Sequence, residues 1–146
     1  MERKVVFKAS QLNTQGLANI AWSYAILRAN DVLLFRQVAI EASGKICHFK
    51  PQEVSNIVWA FAEANSWNPV LFAAVGRDMA YYTMQDFEPQ HLANLLWSLA
   101  ACTARGSVLH CHIMEACMSS AVAFEPQGFA NVAWASATLA LGGRVQ

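Results

Sequence analysis

Asparagine and glutamine recur along this chain of 146 residues at intervals of 37 or 38 residues. A carboxamide presents a hydrogen-bond donor and an acceptor side by side, which is the chemistry needed to recognise the edges of nucleic-acid bases. The repeated asparagines are Asn19, Asn56, Asn94 and Asn131. The repeated glutamines stand at predicted helix starts, where we expect them to cap or brace the turn; they are Gln15, Gln52, Gln90 and Gln127. Repetition at such a period is typical of stacked structural repeats.

On a helix, the residues three before and four after each asparagine lie on the same side as the asparagine. This row is the candidate ligand-binding surface, and its variable first position could distinguish one base from another. The candidate residues are Gly16, Asn19, Ser23, Glu53, Asn56, His91, Asn94, Ser98, Gly128 and Asn131. Two plainer interpretations stay open, namely a ladder of asparagines that joins neighbouring helices and simple solvent exposure of the variable position.

Residues that could perform catalysis or hold a metal form no recognisable arrangement in this sequence. His110, Cys111, His112 and Cys117 lie along one predicted helix and face different ways, whereas the ligands of a zinc site must converge. There is no nucleophile elbow, phosphate-binding glycine loop or HExxH motif. We therefore expect no enzymatic activity, no cofactor, no metal and no small-molecule substrate.

Helices must position the carboxamides, because the apolar residues around them recur with helical spacing. In the third copy Leu92, Ala93, Leu96, Trp97 and Ala100 form one continuous apolar stripe. Each copy has a tryptophan on this stripe, and these tryptophans are predicted to form the core of the repeats. They are Trp22, Trp59, Trp97 and Trp134.

The first helix of each repeat, the A helix, is predicted to begin at a Pro-Gln pair, because proline is tolerated at the first helical position. A second helix, the B helix, is predicted to follow Asp31, Asn68 and Ser107 (or Gly106), which are suitable N-caps. The expected fold is all-α, an α-solenoid of helix-turn-helix repeats with about three and a half units. The predicted divisions are residues 1–11 as a stub or the end of a preceding repeat, 12–48, 49–86 and 87–123 as three repeats, and 124–146 as a partial fourth.

The composition favours a folded chain and opposes several classes of function. Hydrophobic residues make up 55% and charged residues 14%, which indicates ample buried surface and opposes disorder. Ten basic and ten acidic residues give no net charge, unlike a strongly basic nucleic-acid binder. No apolar run approaches the roughly 18–20 residues that cross a bilayer, and the first residues form no clear transit peptide or secretory signal. We expect no membrane partner, and we expect a piece of a longer array.

The pattern F-x-P-Q-x-L-A-N-x-x-W-A-x-A resembles the octotricopeptide repeats, also described as heptatricopeptide repeats, across residues 12–141. It is similar also to the helical repeat region of FAST kinase-like and RAP-domain proteins. The resemblance implies paired helices that bind single-stranded RNA in the mitochondrial matrix or the chloroplast. It further implies a role in RNA processing, mRNA stability or translation. The first copy departs from the pattern, with Leu12 in place of Phe and Thr14 in place of Pro.

A different class of function is a protein–protein scaffold without RNA, since α-solenoids also present extended grooves to peptides and domains. The electrostatics of the A-helix surface should separate the two classes. A positive stripe would favour RNA, and an apolar or acidic groove would favour a protein partner.

Overall fold

The computed structural model describes residues 8–78, 86–102 and 124–142, and within these ranges all regular structure is helical. The prediction of an all-α fold is therefore confirmed. Short 3₁₀ turns, Ala9–Gln11 and Ile46–His48, precede the first and third helices. In the described residues the α-helices are α1 (Thr14–Ile26), α2 (Val32–Lys45), α3 (Pro51–Glu63), α4 (Pro69–Asp78), α5 (Pro89–Ala101) and α6 (Pro126–Gly142).

Proline begins three of the four A helices, as predicted: α3, α5 and α6 start at Pro51, Pro89 and Pro126. The first A helix lacks proline and begins instead behind Asn13, whose side-chain oxygen accepts a hydrogen bond from the Gly16 N–H at 2.8 Å. Both devices satisfy or remove a backbone N–H that has no partner in the first turn. The phenylalanine two residues before each proline is buried: Phe49, Phe87 and Phe124.

The two B helices in the described residues begin at the predicted caps. The Asp31 carboxylate accepts from the Leu34 N–H at 3.0 Å, and the Asn68 side chain accepts from the Leu71 N–H at 3.1 Å. The third predicted B helix, with its cap at Ser107 and with the four histidine and cysteine positions from 110 to 117, lies outside the described residues.

The turn from A helix to B helix repeats its geometry. Arg28 and Asn65, 37 residues apart, both have positive φ, at 52° and 50°. Behind them the Ala29 N–H donates to the Tyr24 carbonyl at 3.0 Å, and the Ser66 N–H donates to the Phe61 carbonyl at 2.9 Å. These bonds close a Schellman turn, which satisfies carbonyls at the helix end and requires one residue in the left-handed region.

The helices form two layers, which confirms the α-solenoid. The A helices pack in the order α1, α3, α5 and α6, and the B helices α2 and α4 pack against each other. Buried side chains such as Val54, Ile57 and Leu95 fill the core. The rings of Phe35 and Phe61 meet edge to face at 5.0 Å and join α2 to α3 across the layers. The A helices thereby lie side by side and leave one face of their layer to solvent.

Candidate nucleic-acid interface

The solvent face of the A-helix layer is built from one glutamine, one asparagine and one tryptophan per helix. Within each copy these residues stand at i, i+4 and i+7, as in Gln52, Asn56 and Trp59, a spacing that puts all three on one side of a helix. In all four copies these residues are exposed or half-buried and none is buried. We call the set the amide–indole face; it comprises Gln15, Asn19, Trp22, Gln52, Asn56, Trp59, Gln90, Asn94, Trp97, Gln127, Asn131 and Trp134.

The prediction that tryptophans form the repeat core is wrong for the two outer copies. Trp22 is 45% exposed and Trp134 is 47% exposed, while Trp59 and Trp97 are half-buried. The rings of Trp97 and Trp134 lie with centroids 6.2 Å apart and planes tilted by 32°. The indoles stand at the border of the apolar stripe, so the protein covers part of each indole and the rest remains accessible to a ligand.

The asparagines do not form a ladder between helices in the part of the chain that the structure describes. The one hydrogen bond within the face joins the Gln127 side-chain N–H to the Asn131 side-chain oxygen at 3.0 Å, within α6. Asn19 is exposed, and Asn56 and Asn94 are half-buried. Their carboxamides make no side-chain hydrogen bond to the described residues, which leaves donors and acceptors for a ligand.

The last position of the predicted row is buried in three of the four copies, which corrects the assignment of Ser98 to the binding surface. Ser98 is completely buried, as are Ala60 and Ala135 at the same place in their repeats. The Ser98 hydroxyl donates to the Asn94 carbonyl at 2.6 Å within its own helix. Ser23 is exposed, and its hydroxyl donates to the Asn19 carbonyl at 2.8 Å. Small residues at this position allow adjacent A helices to approach closely.

The variable position of the row, which was predicted to distinguish bases, lies where consecutive A helices meet near their N-termini. Glu53 is occupied by its own helix start, because its carboxylate accepts from the Lys50 N–H at 3.0 Å. At His91 the backbone carbonyl accepts from the Ser55 hydroxyl of α3 at 3.2 Å, and Nδ1 is buried without a partner in the described residues. Gly16 and Gly128 are half-buried. These positions belong to helix junctions more than to the open surface.

A cavity of about 380 Å³ lies at the junction of α5 and α6. Asn94 and Asn131 of the amide–indole face line it together with Glu88, Glu125 and Phe124. Gly128 also lines it, and a Cβ atom added there would come within 2.8 Å of the Phe124 ring. The cavity therefore opens at the edge of the amide–indole face, where two of its asparagines meet.

Positive charge is missing from the four A helices. Neither lysine nor arginine occurs in α1, α3, α5 or α6, and Glu53 and Glu63 are their acidic residues. Among the residues that the structure describes, cations stand outside the A helices, for example on turns, as Arg28 and Lys50 do, or on B helices. Lys45 is engaged by the protein itself, since its Nζ donates to the carbonyls of Ser10 at 3.3 Å and Leu12 at 3.0 Å. The face offers hydrogen bonds and aromatic rings rather than charge.

Chemically reactive groups are few in the described residues. No group of three or more histidine, cysteine or acidic residues there could hold a metal ion. Burial raises the pKa of the Cys102 thiol from 9.0 to about 11, so this cysteine is protonated and unreactive at neutral pH. Cys47 is a free and exposed thiol.

Sequence reasoning missed the amide–indole face because it grouped tryptophan with the apolar stripe. The signal was present in the spacing of Gln, Asn and Trp at i, i+4 and i+7, which places tryptophan with the polar residues.

Comparison with known proteins adds no assignment, since no family model and no curated protein matches the chain. Across residues 8–78, 86–102 and 124–142, no helix combines the length and the apolar character needed to span a bilayer.

Proposed function

We propose that this protein binds single-stranded RNA along the amide–indole face. The observation that carries the proposal is that one indole and two carboxamides on every A helix are exposed or half-buried and none of them is buried. Indoles stack on unpaired bases, an interaction worth about 1–3 kcal/mol per base, and carboxamides hydrogen-bond to base edges. A face that repeats with each helix matches a polymer that repeats with each nucleotide.

The cellular role that we propose follows from the resemblance to octotricopeptide-type repeats. The protein would act in RNA processing, mRNA stability or translation in mitochondria or chloroplasts. The positions that support this role are the Pro-Gln pair, the asparagine and the tryptophan, because the same residues create the A-helix start and the amide–indole face.

The missing cations shape the expected mode of binding. With no lysine or arginine on the A helices, few counterions are released when RNA binds, and affinity falls only slightly with salt. Stacking and hydrogen bonding to bases must then provide most of the binding free energy. Double-stranded RNA, whose bases are paired and stacked internally, should bind much more weakly.

A second candidate, a protein–protein scaffold, is favoured by the same absence of positive charge. An uncharged groove with exposed tryptophans suits a peptide, since tryptophan is enriched among the residues that dominate protein interfaces. The two candidates use the same surface and differ in the class of partner.

Crosslinking separates these candidates. The purified chain would be irradiated with a pool of random single-stranded RNA, the bound RNA sequenced and the crosslinked peptides mapped by mass spectrometry. We expect enriched RNA sequences and crosslinks in α1, α3, α5 and α6. A variant with Trp97→Ala and Trp134→Ala, checked by circular dichroism, serves as the control and should lose them. Recovery of no RNA by the folded chain would favour the scaffold.

A further inference from the structure

We propose that the cavity between α5 and α6 is a pocket for a guanine base, an inference that rests on the proposed binding of single-stranded RNA. Its volume of about 380 Å³ lies in the range of about 300–1,000 Å³ found for small-molecule pockets. It is large enough for a purine ring. The proposal concerns the junction of α5 and α6, where glycine occupies position 128.

Glycine keeps this junction open. Position 128 corresponds to Glu53 in α3 and His91 in α5, so two of the other A helices carry a large side chain at the place where α6 has glycine. At position 128 the Phe124 ring is so close that even a Cβ atom would meet it at 2.8 Å. Phe124, 9% exposed, instead provides an aromatic wall to the cavity.

The polar groups of the cavity match the hydrogen-bonding edge of guanine. Glu88 and Glu125 line the cavity, and their carboxylates can only accept hydrogen bonds. Guanine alone among the RNA bases presents a ring N–H next to an amino group. The oxygen of the Asn131 side chain accepts from Gln127, so its NH₂ group stays available to the guanine carbonyl. Asn94 adds a second carboxamide from the opposite helix.

The carboxylates of Glu88 and Glu125 also exclude the phosphate group of a nucleotide from the cavity. A phosphate would be repelled by Glu88 and Glu125, so a nucleotide must enter this cavity with its base. The phosphodiester backbone then stays outside, on the side of the amide–indole face. Because Trp97 and Trp134 belong to the same two helices, bases next to the guanine can stack on these indoles.

The test measures the affinity of the full chain for two single-stranded RNAs, a uridine oligonucleotide with one central guanosine and the same oligonucleotide with one central adenosine. We expect the guanosine RNA to bind about tenfold more tightly. Glu125→Gln should remove this preference, because an amide replaces one of the two acceptor groups. Glu63→Gln, an equal change of charge on an exposed A-helix residue outside the cavity, should preserve it.

The direction of the affinity change caused by Glu125→Gln separates binding of guanine in the pocket from unspecific attraction to phosphate. Removing a negative charge strengthens unspecific attraction to phosphate, whereas the pocket predicts weaker binding of the guanosine RNA to Glu125→Gln. Gly128→His provides a second variant, since it places in the cavity the residue that α5 carries at the corresponding position. It should also abolish the preference while the uridine segments still bind, and circular dichroism confirms that each variant is folded.

Four outcomes would overturn the inference. Equal affinity for the two RNAs, or a guanosine preference that survives Glu125→Gln, would sink the guanine pocket while RNA binding stands. Displacement of the guanosine RNA from the wild type by an arginine-rich peptide, but not from Glu125→Gln, would assign the cavity to a protein partner. Failure of every RNA to bind would remove the proposed function itself.

Discussion

Tryptophan at the border of a helix interface can contribute to binding more than to folding. Trp134 is 47% exposed, whereas Leu95 is completely buried in the core. Trp134→Ala should therefore lower the free energy of unfolding by less than about 2 kcal/mol, while Leu95→Ala should cost roughly 2–5 kcal/mol. Urea unfolding followed by circular dichroism measures both changes.

For RNA affinity we expect the opposite order, with a larger loss in Trp134→Ala than in Leu95→Ala. Trp134→Ala should weaken binding of single-stranded RNA about five- to fiftyfold, because one stacking surface is lost. Leu95→Ala should bind single-stranded RNA almost as tightly as the wild type does, when affinity is measured without urea and at a temperature at which the variant is still folded. Equal losses of RNA affinity in the two variants would indicate that tryptophan acts only through stability.

The buried thiol of Cys102 gives a prediction about pH. In the folded chain burial raises its pKa from 9.0 to about 11, so between these values the unfolded chain loses the proton first. The free energy of unfolding should therefore fall as the pH rises from about 9 to 11, and Cys102→Ala should reduce that fall. Urea midpoints at pH 8 and pH 10 for both proteins measure the effect.

Reactivity provides the matched control for this residue. Exposed Cys47 should be alkylated by iodoacetamide at pH 8 in the native protein, and Cys102 should be modified much more slowly. Peptide mass spectrometry distinguishes the two sites. Equal rates at the two cysteines would show that Cys102 is not desolvated.

At the scale of the element, the turn between A and B helices holds a residue that is strained. Arg28 has a φ of 52°, a conformation that costs most residues about 1–2 kcal/mol and costs glycine nothing. Arg28→Gly should raise the free energy of unfolding by roughly 0.5–1 kcal/mol after the greater freedom of glycine in the unfolded chain is subtracted. Thermal and urea unfolding measure the gain.

Substitutions at two other residues, Asn65 and Leu27, serve as controls for the effect of Arg28→Gly. Asn65 occupies the same turn position with a φ of 50°, but asparagine tolerates this region, so Asn65→Gly should have little effect. Leu27, the C-cap residue of α1, has a negative φ of −75°, so Leu27→Gly relieves no strain and should destabilise the chain through the greater freedom of glycine when unfolded. Stabilisation by all three changes, or by none, would contradict the explanation.

The sequence predicted where the helices begin better than it predicted which of their residues are exposed on the surface. Pro51, Pro89, Asp31 and Asn68 mark helix starts through local chemistry, namely a missing N–H or a short acceptor side chain, and the structure has those starts. Which helix covers which face depends on the packing of residues far apart in sequence. Ser98 shows this limit, because its burial comes from a neighbouring A helix and no local pattern indicates it.

At the scale of the molecule, the repeats produce a layered α-solenoid whose copies are similar in backbone and different at their junctions. Each A helix packs against the next one, from α1 through α3 and α5 to α6, and the amide–indole face continues across all four. The junctions differ through Glu53, His91 and Gly128. We infer that the common face provides affinity for single-stranded RNA and that the junction of α5 and α6 provides preference for guanine.

The most direct test of this account is the salt dependence of RNA affinity, measured by anisotropy of a fluorescein-labelled single-stranded RNA between about 50 and 200 mM salt. We expect a shallow dependence, because the A helices carry no lysine or arginine, and a large loss of affinity in the Trp97→Ala, Trp134→Ala variant. A steep decline of affinity with salt that is the same for wild type and variant would contradict it, since binding would then depend on phosphate contacts elsewhere on the molecule.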